Sequence, residues 1–80
     1  MELYYDRKRI WFSSHALKQA RVRNVAYPGL VRNAILHGKV YRYGKHGITF
    51  VARSKRRGLI ICVGEDIGDH IIIKTIERGN

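Results

Sequence analysis

The segment "SSHALKQARVR" (13–23) places a histidine, His15, and three cations, Lys18, Arg21 and Arg23, on one short stretch with no carboxylate. An imidazole takes or gives a proton near neutral pH, and guanidinium groups hold a phosphate as charge develops on it. Together they are equipment for cleaving RNA without a metal ion: a base takes the 2′-OH proton while cations hold the phosphate. The alternative is that His15 is an ordinary solvated surface residue. A second set lies in "YRYGKHG" (41–47). Tyr41 and Tyr43 share one face of a strand and Arg42 points to the other. Lys45 and His46 follow in a glycine-flanked turn, and His46 is a second candidate acid or base. Strand tyrosines either stack unpaired bases or serve as half-buried packing residues. A third set, Arg53, Lys55, Arg56 and Arg57, sits on one hairpin tip. Such a tip grips phosphates without reading sequence, or it keeps two apolar strands from aggregating. Finally, Lys74 and Thr75 interrupt an isoleucine series. Strand alternation sends them to opposite faces, so at most one faces the helices and the other lines a cleft on the open face.

These groups sit in a strongly basic background. The 80 residues carry 16 Lys and Arg against 6 Asp and Glu, a formal charge of +10. Residues 7–64 hold no acid at all, so helices there cannot form i,i+4 ion pairs. Self-repulsion of this kind is relieved by a polyanion, and nucleic acid is the natural one. A basic face that docks an acidic protein is the competing explanation. A membrane partner is not expected, because neither helix shows a bulky apolar face.

The elements that must position these residues follow from periodicity. "KRIWF" (8–12) reads as a short strand. Ser13 or Ser14 caps a helix over 14–23, with Ala16, Leu17 and Ala20 on its buried face and His15, Lys18, Gln19 and Val22 opposite. Pro28 opens a second helix, which Gly38 ends in a left-handed turn. Strands follow at 39–43, 48–53, 59–63 and 70–77, joined by links short enough for an antiparallel meander. The expected fold is α+β: two N-terminal helices packed on one face of a twisted, mainly antiparallel four-stranded sheet, forming a single domain over residues 1–80.

Other chemistries find no support in the pattern. Cys62 lies within "LIICV" and is expected to be buried and inert. The four histidines show no metal-ligand spacing, and there is no phosphate-binding glycine loop or nucleophile elbow. No cofactor is expected. No stretch approaches the roughly 20 apolar residues of a membrane span, and one cysteine agrees with a reducing compartment, so the expected location is cytoplasmic.

The motifs together carry a resemblance. Ser13, His15 and Ala16, then Arg23, Asn24 and Val25, then Ala34, Ile35 and Gly38, and finally Thr75 resemble the pattern of the RelE-like domain-of-unknown-function family 4258, over about residues 9–77. Gln19 departs from it, since members often have an Arg four residues after the His; Arg21 or Lys18 lies within reach of the same helix edge. The wider resemblance, to barnase-, EndoU-, colicin- and RelE-type folds, implies RNA binding or metal-independent RNA cleavage, often by a toxin held by an acidic antitoxin. On that footing the catalytic candidates are His15, Arg21, Arg23 and Thr75. The nucleic-acid-binding candidates are Lys18, Arg42, Lys45, His46, Arg53, Lys55, Arg56, Arg57 and Lys74. The expected partner is RNA, free or ribosome-associated. The expected function is that of a small endoribonuclease, with a non-catalytic nucleic-acid-binding protein or a basic interaction module as the alternatives.

Overall fold

Two residues with positive φ start the fold. Asp6 (φ 53) and Arg7 (φ 66) form the left-handed pair of a two-residue hairpin turn, whose twist matches that of the strands it joins. The computed structural model describes residues 2–25, 28–55 and 58–79, and this hairpin joins β1 (Tyr4–Tyr5) to β2 (Lys8–Phe12). Helices α1 (Ser14–Val22) and α2 (Gly29–His37) follow, then β3 (Lys39–Tyr43), β4 (Gly47–Ser54), β5 (Gly58–Asp66) and β6 (His70–Gly79). All six strands form one sheet in the order β1-β2-β6-β5-β4-β3.

This corrects the expectation of a four-stranded antiparallel sheet beneath two N-terminal helices. Strands take 53% of the described residues against 24% for helices, so a curled, mixed half-barrel is the frame. Strands β3 to β6 do run as an antiparallel meander. The differences come from the first twelve residues. The Asp6-Arg7 turn has no glycine or asparagine to mark it, and β2 pairs in parallel with β6, Arg9 opposite His70 through Phe12 opposite Ile73. A parallel pairing over so long a separation leaves no local pattern. The helices are thus inserted between the second and third strands.

Ser13 caps α1 as expected: its hydroxyl accepts the Ala16 N–H at 3.0 Å. Gly38 does end α2, but with extended backbone (φ −79, ψ 177) instead of a left-handed one. Glycine is needed there for another reason: a Cβ would stand 2.3 Å from the Ala34 carbonyl oxygen and 2.5 Å from that of Val51. This close approach lets α2 turn directly into β3.

The inner face of the sheet carries the core. Ile10, Ile48, Phe50, Ile60, Cys62, Ile71, Ile73 and Ile76 are buried there against Ala16 and Ala20 of α1 and Val31, Ala34 and Ile35 of α2. The curl is visible in contacts between strands far apart in the order: the Tyr5 ring on β1 meets Phe50 on β4 edge-on, with centroids 5.1 Å apart. At the end of the half-barrel, Asp66 of β5 is 8% exposed. Its carboxylate accepts from Lys8 Nζ of β2 at 2.8 and 3.0 Å, from Arg42 Nη1 of β3 at 2.8 Å and from the Gly68 N–H at 3.0 Å. One side chain therefore ties three strands across the concave side. Among the described residues no helix is long and apolar enough to cross a membrane.

The Lys8 hydrogen bond first, then that of Arg42, holds the Asp66 carboxyl down from 3.8 to about 2. A depressed folded value means stability that is fully present above the ordinary carboxyl range and lost as pH falls towards the folded value. That difference corresponds to about 2 kcal/mol. Asp66→Asn is expected to destabilise the protein at neutral pH by about 2–3 kcal/mol. It is also expected to flatten stability between pH 3.8 and about 2. Urea unfolding at several pH values checks both; equal acid sensitivity in wild type and variant would assign the loss to other groups.

Candidate nucleic-acid interface

A bulge in the last strand creates the site. Thr75 pairs with Val63 and Ile73 with Gly64, which leaves Lys74 as an extra residue in β6. Gly64 makes this possible, since a Cβ there would stand 2.1 Å from the Ile72 carbonyl oxygen. The extra residue resets the alternation: Ile71 and Ile73 point inwards before it, Ile76 after it. Lys74 and Thr75, expected on opposite faces, instead both line a cleft of about 500 Å³ on the outer, helix-free face, with Tyr43, Lys45, His46 and Glu65.

The walls of this cleft are held in place. Gly47 lies opposite Tyr43, and a Cβ on it would fall 2.3 Å from a Tyr43 ring carbon, so the ring lies across the β4 backbone. Thr49 Oγ1 donates to the Tyr43 hydroxyl at 3.4 Å. Lys74 Nζ donates to Glu65 Oε1 at 2.7 Å. That bond, with a smaller contribution from His46, keeps the Glu65 carboxyl below its ordinary range.

Helix α1 lies along β6 where β2 has ended. The Ser13 N–H donates to the Ile73 carbonyl at 3.0 Å, the Ser13 hydroxyl to that of Lys74 at 3.4 Å, and the Ile76 N–H to Gln19 Oε1 at 3.1 Å. Residue 13 is thus level with 73–74 and residue 19 with 76, so helix and strand run side by side in the same direction. Gln19 had been expected on the solvent side of α1. It is half-buried and takes the place of the missing strand by accepting a β6 amide. His15, one turn earlier on the same helix side, comes level with the Lys74–Thr75 stretch. It is exposed, and among the described residues no hydrogen bond or ion pair holds its ring. Lys18, Arg21 and Arg23 are exposed along α1.

The other candidates fall into separate places. Arg42 is turned to the inner side, where its guanidinium holds Asp66 and is raised by that bond, away from Tyr41 and Tyr43. Arg53 lines a second cleft, and Lys55 is exposed. Arg56 and Arg57 lie outside the described residues. Sequence reasoning missed Trp11, which is 49% exposed on the outer face with the Arg9 guanidinium 4.7 Å above its ring. The signal was present: with Ile10 turned inwards, alternation in "KRIWF" sends Trp11 out. Glu65 and Lys39 were missed as well.

No family model matches the chain, and neither does any curated protein or solved structure. Among the described residues no three of His, Cys, Asp and Glu come together to hold a metal ion. Cys62 is buried, as expected, and burial pushes its thiol up to about 12, which leaves it unreactive at neutral pH.

The Gln19 bond gives a direct test of the α1 position. A guanidinium has no acceptor, so Gln19→Arg and Gln19→Ala are both expected to expose the Ile76 amide and cost about 1 kcal/mol. Gln19→Glu is expected to keep the bond. Hydrogen exchange at Ile76, read beside urea unfolding, checks this; unchanged protection in the Ala variant would refute it.

Proposed function

We propose that this protein binds single-stranded RNA on the outer face of its sheet. The observation that carries the reading is that this face, free of helices among the described residues, exposes four aromatic rings, Tyr4 at 47%, Trp11 at 49%, Tyr41 at 51% and Tyr43 at 52%. Rings left half open on a rigid sheet, within a basic surface, suit stacking of unpaired bases with cations on the backbone. The choice of RNA over DNA rests on the motif resemblance. The charge pattern supports a polyanion. The ion pairs among the described residues use Glu65 and Asp66 at the end of β5 and Asp69 after it, and they leave Lys18, Arg21, Arg23, Arg53 and Lys55 without one.

Cleavage is a second reading, favoured by one observation. His46, Lys74 and Thr75 line a single cleft, and α1 sets His15 level with its Lys74–Thr75 edge. Two imidazoles suit transphosphorylation. One takes the 2′-OH proton, the 2′ oxygen bonds to phosphorus, the bond from phosphorus to the 5′ oxygen breaks, and the other protonates that oxygen. Lys74 would steady the phosphate. The products are a 2′,3′-cyclic phosphate and a 5′-hydroxyl.

The single tryptophan makes the test direct. Decauridylate is expected to quench Trp11 fluorescence saturably at low salt. Tyr43→Ala is expected to weaken binding by about fivefold or more, given about 1–3 kcal/mol per stacked base. Duplex RNA is expected to bind more weakly than the single strand. No quenching at low salt, or equal affinity for duplex, would refute the use of this face. Incubation in EDTA with His15→Ala and His46→Ala beside wild type decides the cleavage reading, which is lost if no cyclic phosphate ends form.

A further inference from the structure

A second cleft of about 490 Å³ opens where α2 turns into β3. There β4 outruns its neighbour: β3 pairs as far as Lys39 with Val51, and Ala52, Arg53 and Ser54 continue beyond it. Into this notch converge Asn33 and His37 from α2, Lys39 and Tyr41 from β3, and Arg53 from β4, over an apolar floor of Val51 and Leu59. Among the described residues its lining holds no acid. The first cleft differs in holding an acid: Glu65 there pairs with Lys74 at 2.7 Å, leaving Lys45 as its unpaired cation. An uncompensated ammonium and guanidinium beside an amide, an imidazole and a half-open tyrosine fit a phosphate joined to a planar ring. Tyr41 borders this cleft and Tyr43 the first. Two residues apart on one strand, they stand on the same face with Cα atoms about 7 Å from each other.

Resting on the single-stranded RNA reading, we propose that this notch is a nucleotide subsite in which Lys39 and Arg53 grip the phosphate and Tyr41 carries the base. The strand then runs along β3, from the first cleft over Tyr43 and Tyr41 into the second. Salt sensitivity of binding is divided between Lys39 and Arg53 of the second cleft and Lys45 of the first, since the first cleft's other lysine, Lys74, is already paired with Glu65.

Two measurements separate this inference from the reading beneath it. In the first, labelled decauridylate binding is followed by fluorescence anisotropy across a salt series. The Lys39→Gln/Arg53→Gln variant is expected to flatten the slope of log affinity against log salt by about 1.4, two contacts at about 0.7 each for a single strand. Arg32→Gln/Arg78→Gln, the same charge change elsewhere, is expected to leave the slope near wild type. In the second, uridine 5′-monophosphate is titrated into isotope-labelled wild type. Shifts are expected at Gly38, Lys39, Tyr41 and Arg53, and not in the Lys39/Arg53 variant. Tight decauridylate binding with equal slopes in both double variants would overturn the subsite and leave the RNA reading standing. Nucleotide shifts in the notch without decauridylate binding would support the subsite and overturn the RNA reading. No shifts in the notch would overturn the subsite.

Discussion

One carboxylate holds the half-barrel closed. Asp66 collects Lys8 from β2, Arg42 from β3 and the Gly68 amide, and those strands lie four places apart in the sheet order. A flat sheet would carry Lys8 and Arg42 too far apart to share an acceptor. Burying a charge costs several kcal/mol unless its lone pairs are satisfied. Here the donors satisfy them, and the carboxyl is held near 2 as a result. With the curl set, Tyr5 reaches Phe50, α1 and α2 fill the concave side, and the opposite side is left without cover.

That bare side carries the candidate chemistry, shaped by local backbone devices. The bulge at Lys74, permitted by Gly64, brings two polar residues to one face where strict alternation would divide them. Gly47 makes room for the Tyr43 ring. Gln19 closes the β6 edge that β2 leaves open and thereby fixes α1, with His15, beside the bulged stretch. The acids obey a similar economy. Glu65 and Asp66 at the end of β5, and Asp69 just beyond it, pair with Lys74, with Lys8 and Arg42, and with His70. The cations of α1 and of the second cleft are left to interact with something outside the chain.

Much of this was legible in the residues. The serine cap of α1, the apolar stripe of α2 and the meander from β3 to β6 follow from capping chemistry and from periods of 3.6 and 2. So do the opposed faces of Arg42 and Tyr41 with Tyr43. The concentration of charge in residues 7–64 is likewise a property of the sequence alone. Arg42 shows the limit of such reasoning: its face was legible, but its partner, Asp66, lies 24 residues on and is brought near only by the curl.

The sequence by itself determined the two helices and the strand character of the segments that become β2 to β6, which residues are apolar, and that the surface is basic, because these depend on neighbours within a few positions; it did not show β1. Tertiary structure alone decided that β1 and β2 join the sheet, that β2 runs parallel to β6, and that Gln19 is a strand substitute. It also decided that Lys74 and Thr75 share a cleft, and that Lys39 and Arg53 converge with α2 in another. Each of these depends on which backbone amide or charge comes opposite which, a matter of register between distant segments. Register is set by how the whole inner face packs, and no short stretch of residues carries that information.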